Sequence, residues 1–120
     1  MVLEKIPGYY NLDNYNTAGD ISIQVYLNNT DKDQKITIGW ISHGVGSRRH
    51  WYPERINVEL YDYTNLKVID YIYTSFVNST DKINNTYILK PNFGIRIAGN
   101  HRSITHYQYL SMNYWIIKDN

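Results

Sequence analysis

The sequence predicts an all-β chain, a single-domain antiparallel β-sandwich, jelly-roll or Ig-like, of about seven strands with little or no helix. Three observations carry this. Apolar residues alternate with polar ones in many short segments. β-branched and aromatic residues dominate the apolar set, with 13 Tyr against two Phe, and these residue types favour the pleated sheet. Helix signals are nearly absent: after Met1 and before residue 113 the only Ala or Met residues are Ala18, Ala98 and Met112, and no window has a 3.6-residue apolar period.

The 120 residues are the length of one domain and suffice for a core without disulfide staples. Residues 1–20, with Pro7, Gly8 and Gly19, read as an irregular N-terminal arm or edge strand, and residues 21–118 as the sandwich. In ISIQVYL, Ile21, Ile23, Val25 and Leu27 share one face while Ser22, Gln24 and Tyr26 take the other. KITIGWI aligns Ile36, Ile38 and Trp40. The polar stretch NNTDKDQ between these two runs suggests a β-hairpin with a medium loop.

RINVELYDY places Ile56, Val58 and Leu60 inward, with Arg55, Asn57, Glu59 and Tyr61 outward. LKVIDYIYTSFV is apolar on both faces and changes phase near Asp70, which a bulge or a shift between sheets would explain. NSTDKINN reads as a turn. TYILK and NFGIRIA are short strands split by Pro91, which cannot donate to a ladder. In the last strand Leu110, Met112, Tyr114 and Ile116 share one face, and Tyr107, Tyr109, Ser111, Asn113 and Trp115 the other.

The composition excludes several kinds of chemistry. With no cysteine there is no disulfide, thiolate nucleophile or Cys-based metal centre. No cofactor and no metal site is expected: His43 and His50, and His101 and His106, lack zinc-site spacing. No G-x-S-x-G elbow, P-loop or dinucleotide fingerprint occurs. The net charge of +1 gives no broad case for nucleic acid or an anionic membrane. No segment approaches the roughly 18 apolar residues of a membrane-spanning helix, and MVLEKIPGYY does not read as a signal peptide. The lack of cysteine is compatible with an oxidising exterior, so a secreted or surface-associated location is the expectation.

Two segments concentrate chemistry. HGVGSRRHWYP reads as a long loop between strands, and long loops are commonly binding loops. GNHRSITHYQY precedes the last strand. The candidate ligand-binding residues are Arg48, Arg49, His50, Trp51 and Tyr52 in the first segment and Asn100, His101, Arg102 and Tyr107 in the second. Guanidinium and imidazole groups would donate hydrogen bonds, and Trp51 and Tyr52 would stack on a ring. No acid occurs between Asp81 and Asp119, while Lys82, Lys90, Arg96, Arg102 and Lys118 do. Tyr26, Tyr61, Tyr63, Tyr107, Tyr109 and Trp115 are expected on outward faces, where rings are either covered or binding. The sequons at Asn28, Asn78 and Asn84 read as turn chemistry.

The leading expectation is a non-enzymatic binding module for carbohydrate or another cell-surface component, lectin-like or the receptor-binding part of a toxin or phage. Its partners would be a glycan or receptor and further copies of itself, since weak sites need avidity. The alternative is a self-assembling structural subunit (filament, coat or crystal-forming protein). A second alternative is a small ribonuclease-like toxin using His50 and His101 for general acid–base chemistry.

Overall fold

A computed structural model describes residues 3–15, 19–46, 55–75, 79–101 and 107–119, none of them helical. The described residues form eight strands: β1 (Leu3–Tyr15), β2 (Gly19–Leu27), β3 (Gln34–Gly46), β4 (Ile56–Asp62), β5 (Lys67–Ser75), β6 (Ser79–Leu89), β7 (Phe93–His101) and β8 (Tyr107–Asp119). They make two antiparallel four-stranded sheets, ordered β1-β8-β3-β6 and β2-β7-β4-β5. That order is a jelly roll, in which the chain changes sheet at every connection except β4–β5.

The strand count exceeds the expected seven because the N-terminal segment is itself β1, paired with β8 from Leu3↔Asp119 to Tyr15↔Gln108. NSTDKINN is no turn, for Ser79–Leu89 is one strand paired with β3. Nor do β2 and β3 form a hairpin. They lie in different sheets, and the polar stretch between them crosses from one layer to the other.

The core follows from alternation. Ile36, Ile38 and Ile41 of β3, Ile56 and Val58 of β4, Ile95 and Ile97 of β7, and Leu110 and Met112 of β8 are fully buried between the sheets. Each such side chain contributes about 2 kcal/mol by leaving water. Bulges shift the phase of the pattern. Val25 is an extra residue between Gln24↔Arg96 and Tyr26↔Ile95, which turns Tyr26 inward against the core, with its ring 6.1 Å from that of Tyr114. In β3, Gly39 and Trp40 together oppose Asn113. The freed Trp40 N–H donates to Asn113 Oδ1 at 2.8 Å, and a Cβ on Gly39 would sit 2.3 Å from that oxygen. A side chain at this position would have to displace the Asn113 amide from that bond.

All four edge strands carry such an extra residue. β1 shifts register between Leu12 and Tyr15 and β2 between Gln24 and Tyr26. β5 shifts on either side of Asp70, and β6 places Ile83 and Asn84 opposite Gly39, with Asn84 at φ 50°.

One end of the sandwich is tied by Asn28, which is fully buried. Its Nδ2 donates to Lys32 O and Leu89 O, both at 2.8 Å, and its Oδ1 accepts from Thr30 N at 3.0 Å and Thr30 Oγ1 at 2.6 Å. Its backbone exchanges bonds with Phe93 O and Asn92 N. A side chain so engaged cannot accept a glycan in the folded chain. Nearby, Asp62 accepts from Thr64 N, Asn65 N and Asn65 Nδ2. The Asn65 amide, foremost, holds the Asp62 carboxyl below the usual carboxylate range.

The outer face of the β2-β7-β4-β5 sheet covers its own polar groups. Glu59 is 2% exposed and takes the Arg96 Nε–H at 2.9 Å, while the guanidinium lies 3.9 Å above the Tyr61 ring. Glu59 and Tyr61, expected outward, are outward yet buried by this stack. Tyr63 continues it, 4.9 Å from Tyr61 edge-on. The Tyr63 hydroxyl is buried without a partner among the described residues, and burial pushes its pKa up to about 12.

Asn28→Ala should cost about 3 kcal/mol in chemical denaturation, because buried carbonyls lose their donors. Asn28→Asp should cost no less, since it keeps the acceptor and removes both donated bonds. Tyr63→Phe should leave stability at neutral pH unchanged or higher, the hydroxyl having no bond to lose. With a folded pKa of about 12 against 10.0 for a free Tyr, the wild type holds this proton longer folded than unfolded. Its contribution is intact below pH 10 and declines as pH rises towards 12. Denaturation of both proteins across that window should show the wild type losing stability relative to Tyr63→Phe.

Candidate functional site

The strand ends that flank the two basic segments meet at the end opposite Asn28. β3 finishes at Gly46, directly across from Tyr107, the first residue of β8. Asn100 N donates to Arg55 O at 3.2 Å, so the entry to β4 lies beside the exit from β7. Gly19 of β2 faces His101, and Ile56 of β4 faces both Gly99 and Ser75. The connections 16–18, 47–54, 76–78 and 102–106 thus all depart from this end.

Arg48, Arg49, His50, Trp51, Tyr52 and Arg102 lie outside the described residues. His101 and Tyr107 are placed by their backbone at the end of β7 and the start of β8. Asn100 is exposed on β7, and its Nδ2 donates to Asp20 Oδ1 at 3.2 Å. Asn100 and His101 are therefore strand residues rather than loop residues.

His43 departs most from the sequence reading. Strand β3 continues through it, and the ring is 1% exposed. Nδ1 lies 2.9 Å from Ser75 Oγ of the facing sheet, and Nε2 lies 2.8 Å from Gln108 Oε1. With Oε1 turned to the ring, Nε2 carries the proton and Nδ1 accepts from the Ser75 hydroxyl. Ser79 Oγ donates to Ser75 Oγ at 3.3 Å, and the Tyr73 hydroxyl bonds Ser79. This buried chain ties the β3, β5, β6 and β8 ends together beneath the connections. It makes His43 a cross-sheet tie, with both ring nitrogens occupied. Among the described residues no group of three or more His, Cys, Asp or Glu is arranged to hold a metal ion.

Two surfaces away from this end stand out. Among the described residues, the exposed large apolar side chains are Ile6 and Tyr9 on β1, Ile69 and Tyr71 on β5, Ile88 on β6, and Leu66 in the β4–β5 turn. All sit on edge strands or the adjoining turn. β1 forms one flank, and β5 and β6, bridged by Tyr73 and Ser79, form the opposite one. Sequence alternation could not reveal this, because edge position depends on strand order.

The second surface is the outer face of the β1-β8-β3-β6 sheet. Tyr9 and Trp40 meet edge-to-face at 6.1 Å, above the Gly39–Asn113 bulge. Trp115, half-buried, shares this face two residues along β8 from Asn113. Hydroxyls pair across the strands, Thr37 with Thr86 and Ser42 with Thr80, each at 2.8 Å. Trp115 was expected outward and is; Trp40 was expected in phase with Ile36 and Ile38, and the bulge turns it out.

No protein-family model matches the chain, and no curated protein matches it. Solved structures similar in architecture include the Drosophila NLP core, described for pentamer formation and histone binding (12% identity, 98% of this chain and 100% of that one, TM-score 0.49). The capsid of Helicobacter pylori bacteriophage KHP30 has 11% identity over 99% of this chain and 100% of that one, with a TM-score of 0.47. The Yersinia pseudotuberculosis-derived mitogen has 9% identity over 99% of this chain and 90% of that one, with a TM-score of 0.36. At such identities and scores none of these carries a function to this chain.

Proposed function

We propose that the chain is a non-enzymatic, self-assembling structural subunit whose copies associate flank to flank. The observation that supports this reading is that, of the six exposed large apolar side chains among the described residues, five lie on opposite flanks, Ile6 and Tyr9 on one and Ile69, Tyr71 and Ile88 on the other, with Leu66 in the β4–β5 turn. Apolar groups at two non-equivalent flanks suit a heterologous contact, which closes into rings or propagates as filaments. Strand addition is the less suitable mode, because each edge carries a bulge and β1 also carries Pro7. Association would therefore proceed by side-chain packing between flanks.

Sedimentation across concentration should show assemblies larger than a dimer for the wild type. Ile6→Lys and Tyr71→Lys should each yield smaller species. Mixed in equal amounts, these two variants should form a one-to-one complex, since each retains the flank that the other lacks. A wild type that stays monomeric at high concentration, or variants that fail to pair, would count against flank-to-flank assembly.

A second reading keeps the binding of carbohydrate or another cell-surface component at the connection end, through Arg48, Arg49, Trp51, Tyr52, His101 and Arg102. It is favoured by the strand pairings Gly46↔Tyr107 and Asn100 N to Arg55 O, which start both segments side by side. Assembly would multiply such a weak site. A glycan array should then show binding by the wild type that Trp51→Ala abolishes.

A further inference from the structure

We infer that the outer face of the β1-β8-β3-β6 sheet binds an acidic polysaccharide, at a place distinct from the connection end and bordered at its β1 and β6 edges by the flank residues Tyr9 and Ile88. Three properties of this face converge on that ligand.

The first is ring chemistry. Tyr9, 62% exposed, stands edge-on to Trp40 at 6.1 Å, and Trp115 occupies the next row. Flat rings with accessible faces on a rigid sheet suit the C–H faces of pyranose rings, and an aromatic side chain loses little entropy on binding.

The second is hydrogen-bond balance. The Thr37–Thr86 and Ser42–Thr80 pairs each consume one donor and one acceptor. Each pair leaves one O–H and further lone pairs open, so donors and acceptors are interspersed, as sugar hydroxyls require.

The third is charge. Register rows crossing the face run Lys5–Ile117–Lys35–Ile88, Pro7–Trp115–Thr37–Thr86 and Asn11–Ser111–Ser42–Thr80. Lys82, opposite Trp40, borders them at the β6 edge. No carboxylate stands in these three rows; the next row outward pairs Leu3 with Asp119, and Asp81 precedes Lys82 on β6. Lys5, Lys35 and Lys82 are exposed and make no ion pair among the described residues. The opposite sheet differs: its outward Arg96 is already neutralised by Glu59. A carbohydrate carrying carboxylate or sulfate groups meets the rings and the three ammonium groups together. A nucleic acid would meet rings too, but three lysines on a chain of net charge +1 are a thin field for a polyphosphate.

The test is an amide and indole NMR titration of the full chain with decasaccharides of polygalacturonate and of heparin, with cellulose-derived oligosaccharide and poly(U) as comparisons. The indole N–H signals are assigned by Trp40→Phe and Trp115→Phe. The acidic sugars should shift the Trp40 and Trp115 indoles, bind about tenfold or more tightly than the neutral sugar, and weaken as salt is raised. Tyr9→Ala and the Lys5→Gln/Lys35→Gln pair should each lower affinity about tenfold. Lys67→Gln, which removes an exposed ammonium group from β5 of the other sheet, should not. Shifts at the Trp51 indole alone would place the ligand at the connection end and overturn the assignment to this face. Equal binding of the neutral sugar, tighter binding of poly(U), no binding by either acidic sugar, or Tyr9→Ala without effect would each overturn it as well.

Discussion

Every strand except the β4–β5 pair finds its hydrogen-bonding partner far away in sequence and its sequence neighbour in the other sheet. Neither layer can close alone. β8 fills the place between β1 and β3, and β7 the place between β2 and β4, so the last two strands complete both ladders. The buried isoleucines and the ties at each end all presuppose this interleaving: Asn28 links β2 to the β6–β7 turn, and His43 links β3 to β5 and β8. Such pairings bring a high contact order, and folding should be slow for a chain of this size.

The inward set was legible in the sequence because alternation has a period of two. Ile56, Val58 and Leu60, Ile95 and Ile97, and Leu110, Met112 and Ile116 are buried as their spacing implies. What alternation cannot supply is strand order, and the supposed β2–β3 hairpin is the result. Its seven-residue polar connection was a signal, since hairpins favour much shorter turns. Gly39 inside KITIGWI was another, because a glycine within a strand pattern marks a bulge or close approach. That bulge turns Trp40 out, and Val25 turns Tyr26 in.

The chemistry was legible only in part. Richness in Arg, His and Trp drew attention to two segments, and the register brings their attachment points to one end. His43 belongs to the first segment by sequence and to the core by structure, because the strand outlasts the point where glycine and charge suggested it stopped. Of the rings gathered on the outer sheet face, sequence alternation singles out Trp115 but not Tyr9 or Trp40. Tyr9, Trp40, Trp115 and Lys35 come from three strands widely separated in the chain, and only strand order gathers them. A face with rings and cations, flanks with apolar side chains that adjoin it at Tyr9 and Ile88, and an end with basic connections share one small scaffold.

The irregularities shared by the four border strands bear on how the protein tolerates crowding. A straight, unpaired border would let neighbouring molecules zip together backbone to backbone in an open-ended stack, as cross-β fibres do. An inserted residue in each border, with the added twist it brings, interrupts that zipper after a few residues. The fold's borders therefore resist templating an amyloid-like state at high local density.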